Sequence, residues 1–116
     1  MEPKKLYSLD KISEYVGGDK DEVLEMITLF LETIPKDIEK LPHFAKNGDW
    51  QSVYKIAHKV KPSFDVFAMD EIHADLQKIE LLARNNNEEG NLITLVSQLL
   101  EKVNNIVLLL KDEVNE

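Results

Sequence analysis

The chain has 116 residues, a length that suits one domain with a single hydrophobic core. The 22 aspartates and glutamates outnumber the 14 lysines and arginines, and the net charge of -8 argues against nucleic acids and anionic membrane surfaces as partners. Cysteine is absent, which excludes disulfides and thiolate metal sites. The sequence begins without an apolar signal region, and no apolar run approaches the ~20 residues of a transmembrane helix. We therefore expect one cytoplasmic domain over residues 1–116.

The first half of the chain is expected to hold two helices, because apolar residues recur there at helical spacing. A short helix over residues 8–16 should end at Gly17-Gly18, since glycine accepts the left-handed backbone that often follows a helix. Asp19 is the expected cap of a second, longer helix. That helix should be kinked at Pro35, which removes a backbone donor, and should end at Asn47-Gly48.

The second half of the chain is expected to hold three further helices. Asp49 should cap the third helix, which weakens near Pro62 and ends by about Met69. Asp70 is the expected cap of the fourth helix, and the asparagines at 85–87 predict a loop after it.

The last helix is expected to begin near residue 88 or 89. Its apolar residues alternate spacings of four and three, which is typical of a packing seam: Leu92, Val96, Leu99, Val103, Ile106 and Leu110. Long amphipathic helices joined by short polar connections predict an all-α fold, an antiparallel four-helix bundle with a short extra N-terminal helix.

A histidine on the third helix is expected to face away from the core. The apolar row of that helix has spacings of four, three and four and consists of Val53, Ala57, Val60 and Phe64. His58 points roughly 130° from the centre of this row, since each helical residue turns about 100°. An imidazole that faces water between Lys59 and Lys61 suits chemistry with an anionic partner. Position alone also allows an ordinary solvated face.

Other common devices for chemistry are missing from the sequence. There is no glycine-rich phosphate loop, no nucleophile-elbow serine and no cysteine to pair with a histidine. Di-iron bundles need two Glu-x-x-His motifs on facing helices, and the chain has one partial match at residues 70–73. His43 and His73 are expected to be ordinary surface or half-buried residues. We therefore expect no metal, no cofactor and no nucleotide site.

The sequence Ala57-His58-Lys59-Val60-Lys61-Pro62-Ser63 resembles the signature of histidine-containing phosphotransfer (HPt) domains, which is Ala-His-x-Leu-Lys-Gly-Ser/Ala. Residues 67–69 stand where the family has an aliphatic-Gly-Ala turn, and residues 72–84 resemble the Leu…Leu-Glu pattern of its next helix. The family fold is a four-helix bundle with a short helix in front, so the resemblance extends over the whole chain. Pro62 and Ala68 replace two family glycines, which changes the surface that a partner would approach.

The resemblance implies a phosphorelay intermediate of two-component signalling. The Nε2 atom of His58 would accept a phosphoryl group from a receiver-domain aspartate and pass it to another receiver aspartate. The implied partners are response-regulator receiver domains and a hybrid sensor kinase. The protein would be a monomeric phosphocarrier rather than an enzyme, with the receiver supplying the metal.

The resemblance also implies roles for residues around the histidine. Lys59 and Lys61 would stabilise phosphoryl oxygens as positive charges, and Tyr54 and Pro62 would belong to the partner face. Three residues of the next helix have the spacing to face His58: Gln77, Glu80 and Arg84. Of these, Gln77 is expected to orient the imidazole or the phosphate by hydrogen bonds.

Two other classes of function stay open at this point. A helical adaptor or inhibitor could dock on receiver domains or other signalling proteins without being phosphorylated. Pro62 and Ala68 favour that class, whereas His58 and Lys61 count against it, since a pure adaptor needs neither. A bundle that holds a metal or haem would show colour or bound metal after purification.

Overall fold

The computed structural model describes residues 6–115 and contains six helices in that range. Their bounds are α1 Asp10–Tyr15, α2 Lys20–Ile38, α3 Leu41–Lys46, α4 Trp50–Val66, α5 Asp70–Arg84 and α6 Leu92–Val114. The four long helices form a bundle in which α4 packs on α2 and α5, and α6 packs on α2 and α5. The expected all-α four-helix bundle with a short N-terminal helix is confirmed, and α3 is an additional short helix.

Neighbouring helices of the bundle run in opposite directions. Contacts between α4 and α5 pair early residues of one helix with late residues of the other, as Tyr54 with Arg84 and Lys61 with Glu80 show. The connections between consecutive long helices are short or contain only α3. Short connections favour antiparallel neighbours, which is the reason the sequence predicted this arrangement.

The core is one cluster of buried apolar side chains contributed by all six helices. The expected apolar row of α4 is completely buried: Val53, Ala57, Val60 and Phe64. Phe30 of α2 packs edge-on against Phe64 and Phe67, with ring centroids 5.3 and 5.0 Å away. Burial of each large apolar side chain contributes about 1.5–3 kcal/mol, so this row fixes the rotation of α4 about its axis. The expectation of one domain over residues 1–116 stays a prediction.

By length and composition alone, helix α6 is long and apolar enough to cross a membrane. The sequence contains no uninterrupted apolar run of that length because polar residues lie between the apolar ones of this helix. Its expected seam is buried in the bundle, and it contacts α2, α3 and α5. The core helix of a bundle passes the same test, so α6 is weak evidence for a membrane segment.

The second helix is shorter than the sequence predicts. Helix α2 continues through Pro35 and ends at Ile38, and the separate helix α3 begins at Leu41. Pro42 has no backbone N–H to donate to the carbonyl of Ile38, and its ring crowds the preceding turn. Proline is well tolerated in a first turn, where Pro42 lies in α3. The expected single helix is therefore wrong, and Pro42 rather than Pro35 explains the break.

Two of the three expected aspartate caps are confirmed. The side chain of Asp19 accepts hydrogen bonds from the backbone N–H groups of Asp21 and Glu22. Asp49 accepts one from the N–H of Ser52. The expected cap at Asp70 is wrong, because this residue is the first of α5 and no side chain caps that helix. Its carboxylate instead lies in the first turn, where the helix dipole stabilises negative charge.

The last helix begins later than expected, at Leu92. Asn86 and Asn87 adopt left-handed backbone angles, with φ of 58° and 56°, and Gly90 has φ of 78°. Three left-handed residues within five positions prevent a helix over residues 88–91. The side chain of Asn87 accepts a hydrogen bond from the N–H of Leu92 at 3.1 Å, which supports the start of α6.

Helix α4 continues through Pro62 and ends at Val66, before the expected limit at about Met69. Ala68 follows the helix with φ of 55°. Its N–H bonds to the carbonyl of Asp65, and the N–H of Met69 bonds to that of Phe64, both at 2.9 Å. This is the Schellman arrangement in which glycine is the usual left-handed residue, so Ala68 keeps the turn at some cost in strain.

Candidate functional site

Of the three histidines, His58 has the setting that the sequence indicates. It lies in the middle of α4, with the adjacent Ala57 completely buried and its own side chain 65% exposed. His43 is exposed on α3, and His73 is half-buried on α5. The rigid packing of α4 therefore presents one imidazole to solvent at a defined place on the bundle.

Glu80 of α5 links the histidine to a lysine. Its Oε1 atom lies 2.7 Å from Nδ1 of His58, and its Oε2 atom accepts a hydrogen bond of 2.7 Å from Nζ of Lys61. Glu80 is only 9% exposed and is the one buried charged residue among residues 6–115. Both carboxylate oxygens are thus used, and the group spans one turn of α4.

This contact selects the proton position on the imidazole. A carboxylate only accepts hydrogen bonds, so Nδ1 of His58 carries the proton and donates it to Glu80. The neutral ring then has its lone pair on Nε2, the other ring nitrogen. The contact with Glu80 therefore does not occupy the lone pair of the neutral ring.

The charge state of Glu80 supports the same arrangement. Burial raises the pKa of this carboxyl, but hydrogen bonds from Lys61 and His58, together with their charges, lower the pKa by a larger amount. The net result is a pKa below the usual value of 4.5. Glu80 is therefore ionised at neutral pH and accepts both hydrogen bonds.

The two lysines beside the histidine differ in their surroundings. The side chain of Lys61 is 23% exposed and faces α5 through its bond to Glu80. Lys59 is 70% exposed and faces α2, where its Nζ lies 3.1 Å from the carboxylate of Asp37. Lys61 thus belongs to the hydrogen-bonded group around His58, whereas Lys59 lies on the opposite flank.

Tyr54 and Arg84 border the histidine toward the N-terminal end of α4. The tyrosine ring is nearly parallel to the imidazole, with an interplanar angle of 8° and centroids 5.8 Å apart. Nη2 of Arg84 donates a hydrogen bond of 2.8 Å to the phenolic oxygen, and its guanidinium carbon lies 5.2 Å from the ring centroid. Tyr54, one turn before His58, therefore lies against the imidazole, and its expected place on a partner face stays a prediction.

Gln77 lies near the site without bonding to the imidazole. It is exposed and lines a surface groove of about 450 Å³ together with Lys61, Glu80 and Arg84. Among the described residues 6–115, the imidazole donates its hydrogen bond to Glu80. Glu80 thus makes the hydrogen bond with the imidazole that was expected of Gln77. A contact between Gln77 and a phosphate stays a prediction.

A signal for Glu80 was present in the sequence. This residue lies in the same row as Leu76 and Ala83, at spacings of four and three, and both of those are buried. A charge within an apolar row must be paired or neutralised, since isolated charges are costly to bury. Pro62 is exposed one turn after His58, consistent with its expected place on the surface. Within residues 6–115 no group of three or more acidic or histidine side chains is arranged to hold a metal.

Comparison with known proteins identifies the family. The family model described as Hpt domain matches residues 25–114, which include all the site residues discussed above. No curated protein and no solved structure matches the chain. Hpt domains act in phosphorelay signalling as phosphocarriers rather than enzymes, and they interact with receiver domains. Since the match covers most of its length, the chain belongs to the Hpt domain family.

Proposed function

We propose that His58 accepts a phosphoryl group from a receiver-domain aspartate and passes it to the aspartate of another receiver. The observation that carries this proposal is the contact of 2.7 Å between Nδ1 of His58 and the buried carboxylate of Glu80. In the neutral imidazole this contact puts the proton on Nδ1 and the lone pair on Nε2 of an exposed ring, which is what a nucleophile for a phosphoryl group needs.

The transfer step follows from this protonation state. The lone pair of Nε2 attacks phosphorus, and a bond forms between them as the bond from phosphorus to the aspartyl oxygen breaks. The aspartate leaves as a carboxylate, and no proton has to leave the histidine. The ring becomes a phosphorylated imidazolium with its proton still on Nδ1. Glu80 stabilises the positive charge, as a carboxylate does beside a catalytic imidazolium.

Lys61 supplies positive charge on the same flank. Phosphoryl transfer depends on positioning and on neutralisation of the phosphoryl oxygens. Glu80 holds the ammonium of Lys61 on the flank of His58 that faces α5. In this proposal the phosphoryl group that arrives there carries two negative charges. The divalent metal used in the transfer belongs to the receiver in this proposal. The full proposal is a monomeric, cytoplasmic carrier served by a hybrid sensor kinase.

The decisive experiment mixes the protein with a phosphorylated receiver domain carrying radioactive phosphate. We expect an acid-labile, base-stable phosphoprotein. The variant His58→Gln should stay unlabelled, whereas His43→Gln, which alters an exposed histidine on α3, should be labelled like the parent. Persistent labelling of His58→Gln would remove His58 as the acceptor.

The same experiment decides between a carrier and an adaptor. An adaptor would bind the receiver, as measured by calorimetry or analytical ultracentrifugation, without acquiring label. Binding without label at receiver concentrations well above the dissociation constant would contradict the carrier and support the adaptor that Pro62 and Ala68 favour. Sedimentation of the free protein tests the proposed monomer.

A further inference from the structure

The bond to Glu80 alone does not fix the orientation of the histidine ring. The side chain of His58 is 65% exposed, so few neighbouring atoms restrict its rotation. A single hydrogen bond at Nδ1 holds one atom of the ring and leaves the tilt of its plane free. In-line attack requires the Nε2 lone pair, which lies in the ring plane, to point at phosphorus.

Tyr54 supplies the missing restraint. Its ring is parallel to the imidazole within 8°, with centroids 5.8 Å apart, in the offset stacking range that aromatic rings prefer. Such a stack covers a face of the imidazole and leaves its edge, including Nε2, uncovered. It therefore restricts the ring plane without blocking the nucleophile.

Arg84 holds Tyr54 in this position from the neighbouring helix. Its guanidinium donates a hydrogen bond of 2.8 Å to the phenolic oxygen and lies 5.2 Å from the centroid of the tyrosine ring. The bond joins α5 to α4 across 30 positions of sequence. Arginine planes favour such contacts with aromatic rings, which a lysine would make less well.

We propose that Tyr54, held by Arg84, is a positioning residue that sets the plane of the His58 imidazole for in-line phosphoryl transfer. The inference rests on the proposed role of His58 as phosphoryl acceptor. Glu80 and Tyr54 act as two separate restraints, one on the Nδ1 atom and one on the ring plane. Together they define the direction of Nε2.

The first arm of the test measures transfer from a phosphorylated receiver at increasing receiver concentration. Tyr54→Leu removes the ring and should lower the maximal transfer rate about fivefold, the size expected for one aromatic contact. Tyr54→Phe keeps the ring and should recover most of the rate. Tyr15→Leu, an exposed site on α1, is the matched control and should behave like the parent.

The shape of the saturation curve separates positioning from docking. A lower maximal rate for Tyr54→Leu, with an unchanged half-saturating receiver concentration, supports positioning. A change in the half-saturating concentration alone would make Tyr54 a docking contact and overturn the inference.

The second arm needs no partner and uses NMR of the free protein. We expect nuclear Overhauser contacts between the rings of Tyr54 and His58 in the parent and in Tyr54→Phe. Long-range nitrogen–proton spectra should show the Nδ1-protonated ring in both. Absence of the ring contacts in the parent would overturn the inference whatever the transfer assay shows. Their presence in a parent that no receiver labels would retain the ring geometry and reject the carrier function.

Discussion

The two flanks of His58 carry similar residues in different settings. On the α5 flank, Lys61 and His58 share the buried carboxylate of Glu80. On the α2 flank, Lys59 pairs with Asp37. Among the hydrogen bonds of residues 6–115, none joins Lys59 to the imidazole. Along the sequence both lysines follow His58 within three residues, yet Lys61 shares the carboxylate that bonds to the imidazole and Lys59 pairs with a different one.

The energetics of the two ion pairs differ for the same reason. In the pair of Lys59 with Asp37, the lysine side chain is 70% exposed and the aspartate side chain 16% exposed, so water screens the pair from the lysine side. A buried charge that loses its partners is costly, so Glu80 depends on both Lys61 and His58. The α5 flank therefore joins the imidazole to a buried carboxylate, whereas the ion pair on the α2 flank does not include the imidazole.

The strongest test of this comparison removes the carboxylate on the α5 flank. Glu80→Gln keeps the size of the side chain but replaces the charged acceptor of the Nδ1 proton, a bond worth about 1.5–3 kcal/mol. We expect transfer from a phosphorylated receiver to slow about tenfold or more. The matched variant on the α2 flank, Asp37→Asn, should transfer at nearly the parental rate.

NMR gives the cause of that loss. In Glu80→Gln the imidazole should populate both neutral tautomers, because an amide can donate to Nδ1 as well as accept from it. A single Nδ1-protonated ring in this variant, or equal transfer rates for Glu80→Gln and Asp37→Asn, would contradict the assigned difference between the flanks.

The two lysines provide a second, smaller test. Lys61→Ala should slow transfer several-fold, about three- to tenfold, because it removes positive charge beside the histidine and frees Glu80. Lys59→Ala should change the rate by less than about twofold, as for a screened surface charge. The measurement is the maximal transfer rate, with circular dichroism to check the helices. A larger loss in Lys59→Ala than in Lys61→Ala would reverse the comparison.

The smallest expected effect is on stability in acid. The folded-state pKa of Glu80 lies below 4.5, so its ionised form stabilises the fold above that pH, and the contribution is lost as the pH falls through the folded-state pKa. Glu80→Gln should be less stable than the parent at neutral pH. The gap between the two unfolding free energies should narrow as the pH falls below 4.5 and through the folded-state pKa of Glu80, because the variant lacks this titration.

Chemical denaturation across that pH range measures the gap. Glu101→Gln, which alters an exposed carboxyl on α6, is the control and should leave the slope of stability against pH unchanged. If the unfolding free energies of the parent and of Glu80→Gln fell in parallel as the pH was lowered, Glu80 would have no special pairing in the folded state.

Local patterns predicted much of the fold because they depend on neighbours in sequence. The buried rows of α4 and α6 follow directly from spacings of three and four. The caps at Asp19 and Asp49 depend on the next three residues only. The errors arose where several local signals compete, as at Pro42 and in the asparagine-rich loop before α6.

The site could be predicted only in part for a different reason. The position of His58 on the outer face of α4 follows from the apolar row of that helix alone. The choice of Glu80 over Gln77 as its partner depends on how far α5 is rotated, which the whole buried face of α5 decides. Both residues lie on the same helix within one turn, so spacing by itself could not rank them.

The sequence by itself determined the cores of the four long helices, the exposure of His58 and the motif shared with Hpt domains, since each depends on residues close together along the chain. Only the tertiary structure decided that Glu80 bonds to the imidazole, that Lys61 and not Lys59 shares its carboxylate, and that Arg84 donates to the phenolic oxygen of Tyr54. These contacts join α4 to α5 over 19 to 30 positions of sequence. Their geometry follows from the packing of two helices, to which all the buried side chains between them contribute.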